Sequence, residues 1–174
     1  MLQNYNTYRI LQLFFDQPTK LFQLREISRL AKIGLPSVIN HVEKLEKYGF
    51  VKKEKKSVYE SHIANKENDI YKLYKKLDIV LRLNESGFVE YLISNATPNA
   101  IILFGSASRG EDIESSDVDI FVLAKEENLN LKEFEKYIKR KINIYFESNI
   151  KNLSKELLNN IINGIKLYGY LKVF

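Results

Sequence analysis

Apolar residues recur at helical spacing along three segments in the first third of the chain. The predicted helices run from Asn6 to Phe15, from Leu24 to Ala31 and from Leu35 to Tyr48. Pro18 ends the first helix because proline lacks the amide hydrogen that continues a helix. Pro36 suits the first turn of the third, where that hydrogen has no intrahelical partner. The pattern predicts three helices, the second and third joined by a tight turn at Gly34.

The periodicity changes after Gly49. Residues 51–63 read as two short strands around a basic turn. Three helices followed by a basic hairpin are typical of a winged helix-turn-helix. The stretch from Ile27 to Val51 resembles regulators of the MarR and ArsR type, because the third helix runs into Leu45-Glu46-Lys47-Tyr48-Gly49-Phe50-Val51, similar to their "L-x-x-x-G-h-V" before the wing.

A winged helix of this kind would meet duplex DNA with one helix face and with its wing. The candidate helix residues lie off the apolar stripe and are Ser37, Asn40, His41 and Lys44. An Asn can bond adenine through two hydrogen bonds. Phosphate contacts are expected from the hairpin residues Lys52, Lys53, Lys55 and Lys56. Three alternatives stay open: a protein-docking module, a solubilising lysine turn, and a solvated His41.

The next segment predicts a helical connector. Ile70, Leu73, Leu77 and Val80 follow the 3-4-3 spacing of a short coiled-coil seam. This helix, over residues 66–84, either pairs with its copy in a homodimer or packs on the winged helix. Ser86 is a candidate N-cap for a further helix over residues 88–94, and residues 97–99 mark the start of the last domain.

Two strands with polar ends dominate the second half. Residues 100–104 form an unbroken apolar run that leads into Gly105-Ser106, and a second strand carries Asp117 and Asp119 at its start. Strand side chains alternate between faces, so the two carboxylates share one face, about 6–7 Å apart. Like charges this close favour a shared cation. Oxygen ligands and a phosphate-bearing substrate suit Mg²⁺ or Mn²⁺.

These residues resemble the signature of the DNA polymerase β-type nucleotidyltransferase superfamily, in particular the minimal nucleotidyltransferases with the pattern G-S-x10-D-x-D. Ten residues separate Ser106 from Asp117, and residues 164–169 are similar to the family's terminal "G-I-x-L-Y-G". The resemblance covers residues 100–174. It implies that Gly105 and Ser106 hold a nucleoside triphosphate, with Arg109 as a further phosphate contact, and that Asp117 and Asp119 are the catalytic, metal-holding pair.

The chain departs from the family at the third carboxylate. On the next predicted strand, residues 142–147, Asn143 stands at the position that the family pattern gives to an acid. An amide is a neutral ligand and does not accept a proton as a base. Glu147 shares the face but lies about 13 Å further along the strand. Transfer is therefore less secure than nucleotide and metal binding. Arg109 has a second interpretation, an ion pair with Glu111 or Asp112.

Composition excludes some kinds of site, and charge distinguishes the two halves of the chain. The chain contains no cysteine, which excludes disulfides and thiolate zinc sites. Residues 1–84 hold 16 Lys and Arg against 9 Asp and Glu, a net +7, whereas residues 85–174 hold 11 against 13, a net −2. Neither a signal peptide nor a membrane span is expected, and the predicted location is the cytoplasm.

The sequence predicts an α+β chain with a winged helix-turn-helix over residues 1–65, a connector over 66–97 and a nucleotidyltransferase-like mixed sheet with flanking helices over 98–174. The first interpretation is a metal-dependent enzyme that moves a nucleoside monophosphate to a protein or nucleic-acid hydroxyl. Duplex DNA is one expected partner, and the resemblance implies a HEPN-type protein as a second. The alternatives are a regulator that only binds nucleotide and a winged helix used only for protein docking.

Overall fold

The computed structural model describes residues 5–55 and 60–172. It divides into two compact units, Met1–Lys75 and Lys76–Phe174. The helices and strands, in chain order, are α1 (Asn6–Asp16), α2 (Leu24–Ala31), α3 (Leu35–Lys47), β1 (Val51–Glu54), β2 (Ser61–Ala64), α4 (Asp69–Glu85), α5 (Phe88–Ala96), β3 (Ala100–Phe104), α6 (Gly105–Arg109), β4 (Val118–Val122), α7 (Lys132–Ile138), β5 (Ile142–Phe146), α8 (Lys155–Ile162) and β6 (Ile165–Gly169).

The first unit is built from three helices and a hairpin around one apolar core. The core residues contributed by the helical stripes include Ile10, Phe14, Ile27, Val38 and Leu45. Strands β1 and β2 pair antiparallel, with Val51 opposite Ala64, and both of these residues are buried. The helices and the hairpin lie where the sequence predicts them. Assignment of the unit to the winged helix-turn-helix class stays a prediction.

Helix α4 begins in the first unit and ends in the second, and a sharp turn joins it to α5. Gly87 is the N-cap residue of α5 with φ +76°, a left-handed conformation that favours glycine. The Ser86 hydroxyl donates backwards to the Leu83 carbonyl at 3.2 Å. The prediction of Ser86 as the cap is therefore wrong. The connector predicted over residues 66–97 covers α4 and α5, and the predicted domain limits stay predictions.

The second unit contains a four-stranded sheet in the order β5-β4-β3-β6. Strands β4 and β5 are parallel, and the other two pairings are antiparallel. Alternate residues of the central strands face two different cores. Ile101, Leu103 and Ile120 pack with residues of α5, whereas Ile102 and Phe121 pack with α8. This mixed sheet with flanking helices agrees with the predicted α+β class.

Within residues 5–55 and 60–172, each helix is either too short or too polar to reach across a bilayer.

Candidate active site

Strand pairing brings Gly105, Asp119 and Asn143 into one row, where β3 ends and β4 and β5 begin. Asp119, on β4, lies opposite Phe104 at the end of β3 and opposite Asn143 on β5. Gly105 follows Phe104 directly, and Asp117 precedes the first residue of β4. Residues that are far apart in sequence therefore meet at one place because their backbones pair.

Gly105 turns the chain from β3 into the five-residue helix α6. Its φ of +71° favours glycine, and a Cβ at this position would collide with the Asp119 carboxylate. The Ser108 hydroxyl closes the turn by donating to the Gly105 carbonyl at 2.8 Å. The glycine is thus required both by the backbone conformation and by the acid that lies against it.

The two aspartates differ in their surroundings. Burial is the largest cause of a raised pKa at Asp119, and the negative charge of Asp117 raises this pKa further. A hydrogen bond from Asn143 to Asp119 opposes the rise. A partly buried carboxylate beside a second carboxylate is stabilised in its ionised form by a nearby cation. The pair therefore fits a divalent ion that also binds phosphate.

Asn143 occupies the position next to Asp119 that the sequence comparison assigned to a third acid. Its Nδ2 donates to Asp119 Oδ1 at 3.3 Å and to the Tyr145 hydroxyl at 2.9 Å. The Tyr145 ring meets Phe104 edge to face, with centroids 5.5 Å apart. Sequence reasoning placed Tyr145 on this face but gave it no role. Its alternation with Asn143 along β5 was the available signal.

Glu147 does not join this row. Its carboxylate accepts hydrogen bonds from the Asn149 backbone amide at 2.9 Å and from Asn152 Nδ2 at 3.1 Å. The Asn149 bond is the largest cause of a lowered pKa at Glu147. Glu147 therefore stabilises the turn that follows β5, and its carboxylate is engaged there.

Arg109 and Ser106 lie on α6. Arg109 Nε forms an ion pair with Glu111 Oε2 at 2.7 Å, and both side chains are about half exposed. This is the second of the two interpretations that the sequence left open for Arg109, and a phosphate would have to compete with Glu111. Ser106 is half-buried, and its carbonyl accepts from the Glu111 amide at 3.0 Å.

The side chains of the site limit how a metal ion could be held. Within the described residues, no group of three or more His, Asp or Glu side chains is arranged to hold a metal. The described carboxylates offered here are Asp119 in the row and Asp117 two residues before it. Mg²⁺ commonly binds one or two protein carboxylates, with water and substrate phosphates completing its shell. Two aspartates therefore fit a divalent metal whose remaining ligands are water and phosphate oxygens.

The predicted DNA-contacting residues of the first unit fall into different environments. Asn40 and Lys44 are exposed on α3 and Ser37 is half-buried. His41 is also half-buried, and its Nδ1 lies 2.8 Å from Thr7 Oγ1 of α1. Burial, followed by the charge of Lys44, lowers the pKa of His41. The His41 ring is thus part of the contact between α3 and α1.

The lysines of the predicted wing also differ. Lys53 Nζ lies 3.0 Å from Glu60 and 3.8 Å from Glu46, so its charge is partly neutralised within the unit. Lys52 and Lys55 are exposed. Lys56 lies outside the described residues.

A search of curated proteins finds no match to this chain. Residues 87–170 match a family model described as "Polymerase beta, Nucleotidyltransferase". The match includes β3 to β6 and every member of the row formed by Gly105, Asp119 and Asn143. The second unit is therefore similar to polymerase beta nucleotidyltransferases over slightly less than half of the 174-residue chain.

Proposed function

We propose that the second unit binds a nucleoside triphosphate with Mg²⁺ or Mn²⁺ and transfers its nucleoside monophosphate to a hydroxyl group. The observation that carries this proposal is the row in which Gly105 lies against the Asp119 carboxylate and Asn143 lies beside it. The match over residues 87–170 supports the same class of reaction.

The chain's own residues divide the work in this proposal. Asp117 and Asp119 would hold the metal, which when bound neutralises phosphate charge and stabilises the leaving oxygen. Gly105 lacks a side chain, so a phosphate can approach the backbone after β3, and Ser106 follows at the first turn of α6. Asn143 keeps a hydrogen bond on Asp119 but accepts no proton as a base.

A second function is favoured by Asn143 itself. A unit that binds nucleotide without transferring it needs the aspartate pair but no base. Under this alternative the chain is a regulator, in which the first unit binds duplex DNA through Asn40 and Lys44 of α3 and through Lys52 and Lys55 of the hairpin. The exposure of these four residues supports the DNA-binding part of the proposal.

Calorimetry of the full chain tests the shared requirement. We expect each NTP that binds to do so only with Mg²⁺ or Mn²⁺, and Asp117→Asn with Asp119→Asn to abolish binding. A matched control, Glu126→Gln with Glu127→Gln, removes two exposed negative charges outside the row and should leave affinity unchanged. Equal affinity in the aspartate double variant would contradict the assignment. A transferase releases pyrophosphate when NTP and an acceptor are both present, whereas a regulator that only binds nucleotide does not.

A further inference from the structure

A phenolic hydroxyl lies within the proposed site. Tyr145 follows Asn143 by two residues on β5, so both side chains are on the face that carries Asp119. One amide nitrogen links them, 2.9 Å from the Tyr145 hydroxyl and 3.3 Å from Asp119 Oδ1. Tyr145 is 42% exposed, and its ring packs edge to face on Phe104.

We propose that Tyr145 is an acceptor for the unit's own transfer reaction and becomes nucleotidylated. This inference rests on the proposed nucleotide site at Asp117 and Asp119. The Tyr145 oxygen forms a bond to the α-phosphorus of the NTP, and the bond from that phosphorus to the oxygen bridging the β-phosphate breaks. Pyrophosphate leaves with the electron pair, and the phenolic proton passes to water. The product is a phosphodiester between Tyr145 and a nucleoside.

The site's chemistry favours this acceptor over an aliphatic alcohol. A phenol gives up its proton more readily than the hydroxyl of serine or threonine. An acceptor of this kind needs the least help from a base, and the position beside Asp119 holds an amide. The attacking oxygen also has to lie close to the reacting phosphorus before transfer. The hydrogen bond from Asn143 holds the Tyr145 oxygen on the side of the sheet where Asp119 would bind the metal and its phosphates.

Labelling of the full chain tests the proposal. Purified protein is incubated with each α-³²P-labelled NTP and Mg²⁺, and the labelled peptide is identified by mass spectrometry. We expect up to one nucleotide per chain, on Tyr145. Tyr145→Phe should reduce the label to background yet keep NTP affinity, since the ring that packs on Phe104 is retained. Tyr168→Phe, which changes a similarly exposed tyrosine on β6, should label as wild type does.

The outcomes separate this inference from the proposed function. NTP binding by calorimetry with no label in wild type would overturn the acceptor role and leave the nucleotide site standing. Label that persists in Tyr145→Phe would overturn it as well. Absence of metal-dependent NTP binding would overturn both proposals.

Discussion

In the second unit, burial and then the negative charge of Asp117 raise the pKa of Asp119, and a hydrogen bond from Asn143 opposes the rise. Lys53 of the first unit lies in a basic segment with Lys52 and Lys55, yet Glu60 and Glu46 contact it and raise its pKa. The acidic pair thus retains its mutual repulsion, whereas the basic cluster is partly neutralised from within. Repulsion kept in place points to a ligand more strongly than a count of like charges does.

Asn143→Asp is the change with the largest expected effect on the acidic row. A carboxylate at this position would lie within hydrogen-bonding distance of the Tyr145 hydroxyl and would accept its proton. General-base help of this kind is worth about 10²–10⁴-fold in rate. We expect nucleotide transfer, measured as label per chain with time, to rise by this order.

The control for this change is Glu147→Gln. Because Glu147 accepts from Asn149 and Asn152 in the following turn, its loss should leave the transfer rate near wild type. A rate that does not respond to Asn143→Asp but disappears in Glu147→Gln would show that the base is Glu147.

Gly105→Ala has the next largest expected effect. The new methyl group meets the Asp119 carboxylate and also forces alanine to a φ of +71°. Backbone strain of this kind costs about 1–3 kcal/mol. We expect lower stability of the second unit in chemical denaturation, together with loss of NTP binding.

Gly87→Ala introduces the backbone strain without a steric collision, so it separates the two effects expected at Gly105. Gly87 has a φ of +76°, and a Cβ there meets nothing within 4 Å. This variant should lose stability through strain alone and keep its NTP affinity. Equal loss of binding in both variants would show that the contact with Asp119 is not what requires glycine at position 105.

Part of the site could be predicted from the sequence. The strand from Ala100 to Phe104 follows from its unbroken apolar run, and the shared face of Asp117 and Asp119 was predicted from strand alternation. The position of Asn143 came from the resemblance to the family pattern. The pairing of Phe104 with Asp119, which brings Gly105 to this aspartate, is visible only in the structure because it depends on how the strands pair.

Side-chain partners were less accessible to sequence reasoning. The bond of Tyr145 to Asn143, the pairing of Lys53 with Glu46 and the contact of His41 with Thr7 each join residues through three-dimensional packing. A helical or strand pattern gives the direction of such a side chain but not the group it meets.

The lysines of the hairpin can be compared by their contribution to DNA affinity at different salt concentrations. Each phosphate contact contributes about 0.9 to the slope of log K against log salt concentration. Lys52→Ala with Lys55→Ala should flatten the slope measured on duplex DNA by up to twice this amount. Lys53→Ala should change it less, because two glutamates already oppose its charge.

Two exposed lysines of the second unit provide the reference for charge alone. Lys151→Ala with Lys155→Ala removes the same charge far along the chain from the hairpin and should leave the slope unchanged. Absence of duplex affinity at low salt would contradict the DNA-binding proposal. If both lysine pairs change the salt slope equally, the chain attracts DNA by its overall charge and not through the hairpin.

The smallest expected effect is at His41, where the two interpretations of α3 give different results. Burial, and then the charge of Lys44, lowers the pKa of His41 below its ordinary value of 6.5. The fold therefore favours the neutral ring, and the unfolded chain takes up a proton at higher pH. The contribution of His41 to stability is complete above pH 6.5 and declines as the pH falls towards the lowered pKa.

An NMR titration of the two histidines measures the pKa of His41 directly. Lys44→Ala should move the pKa of His41 partly back. His41→Gln should weaken the contact with Thr7 without changing the preference among DNA sequences. An altered sequence preference with an unshifted pKa would instead place His41 in the DNA-contacting surface.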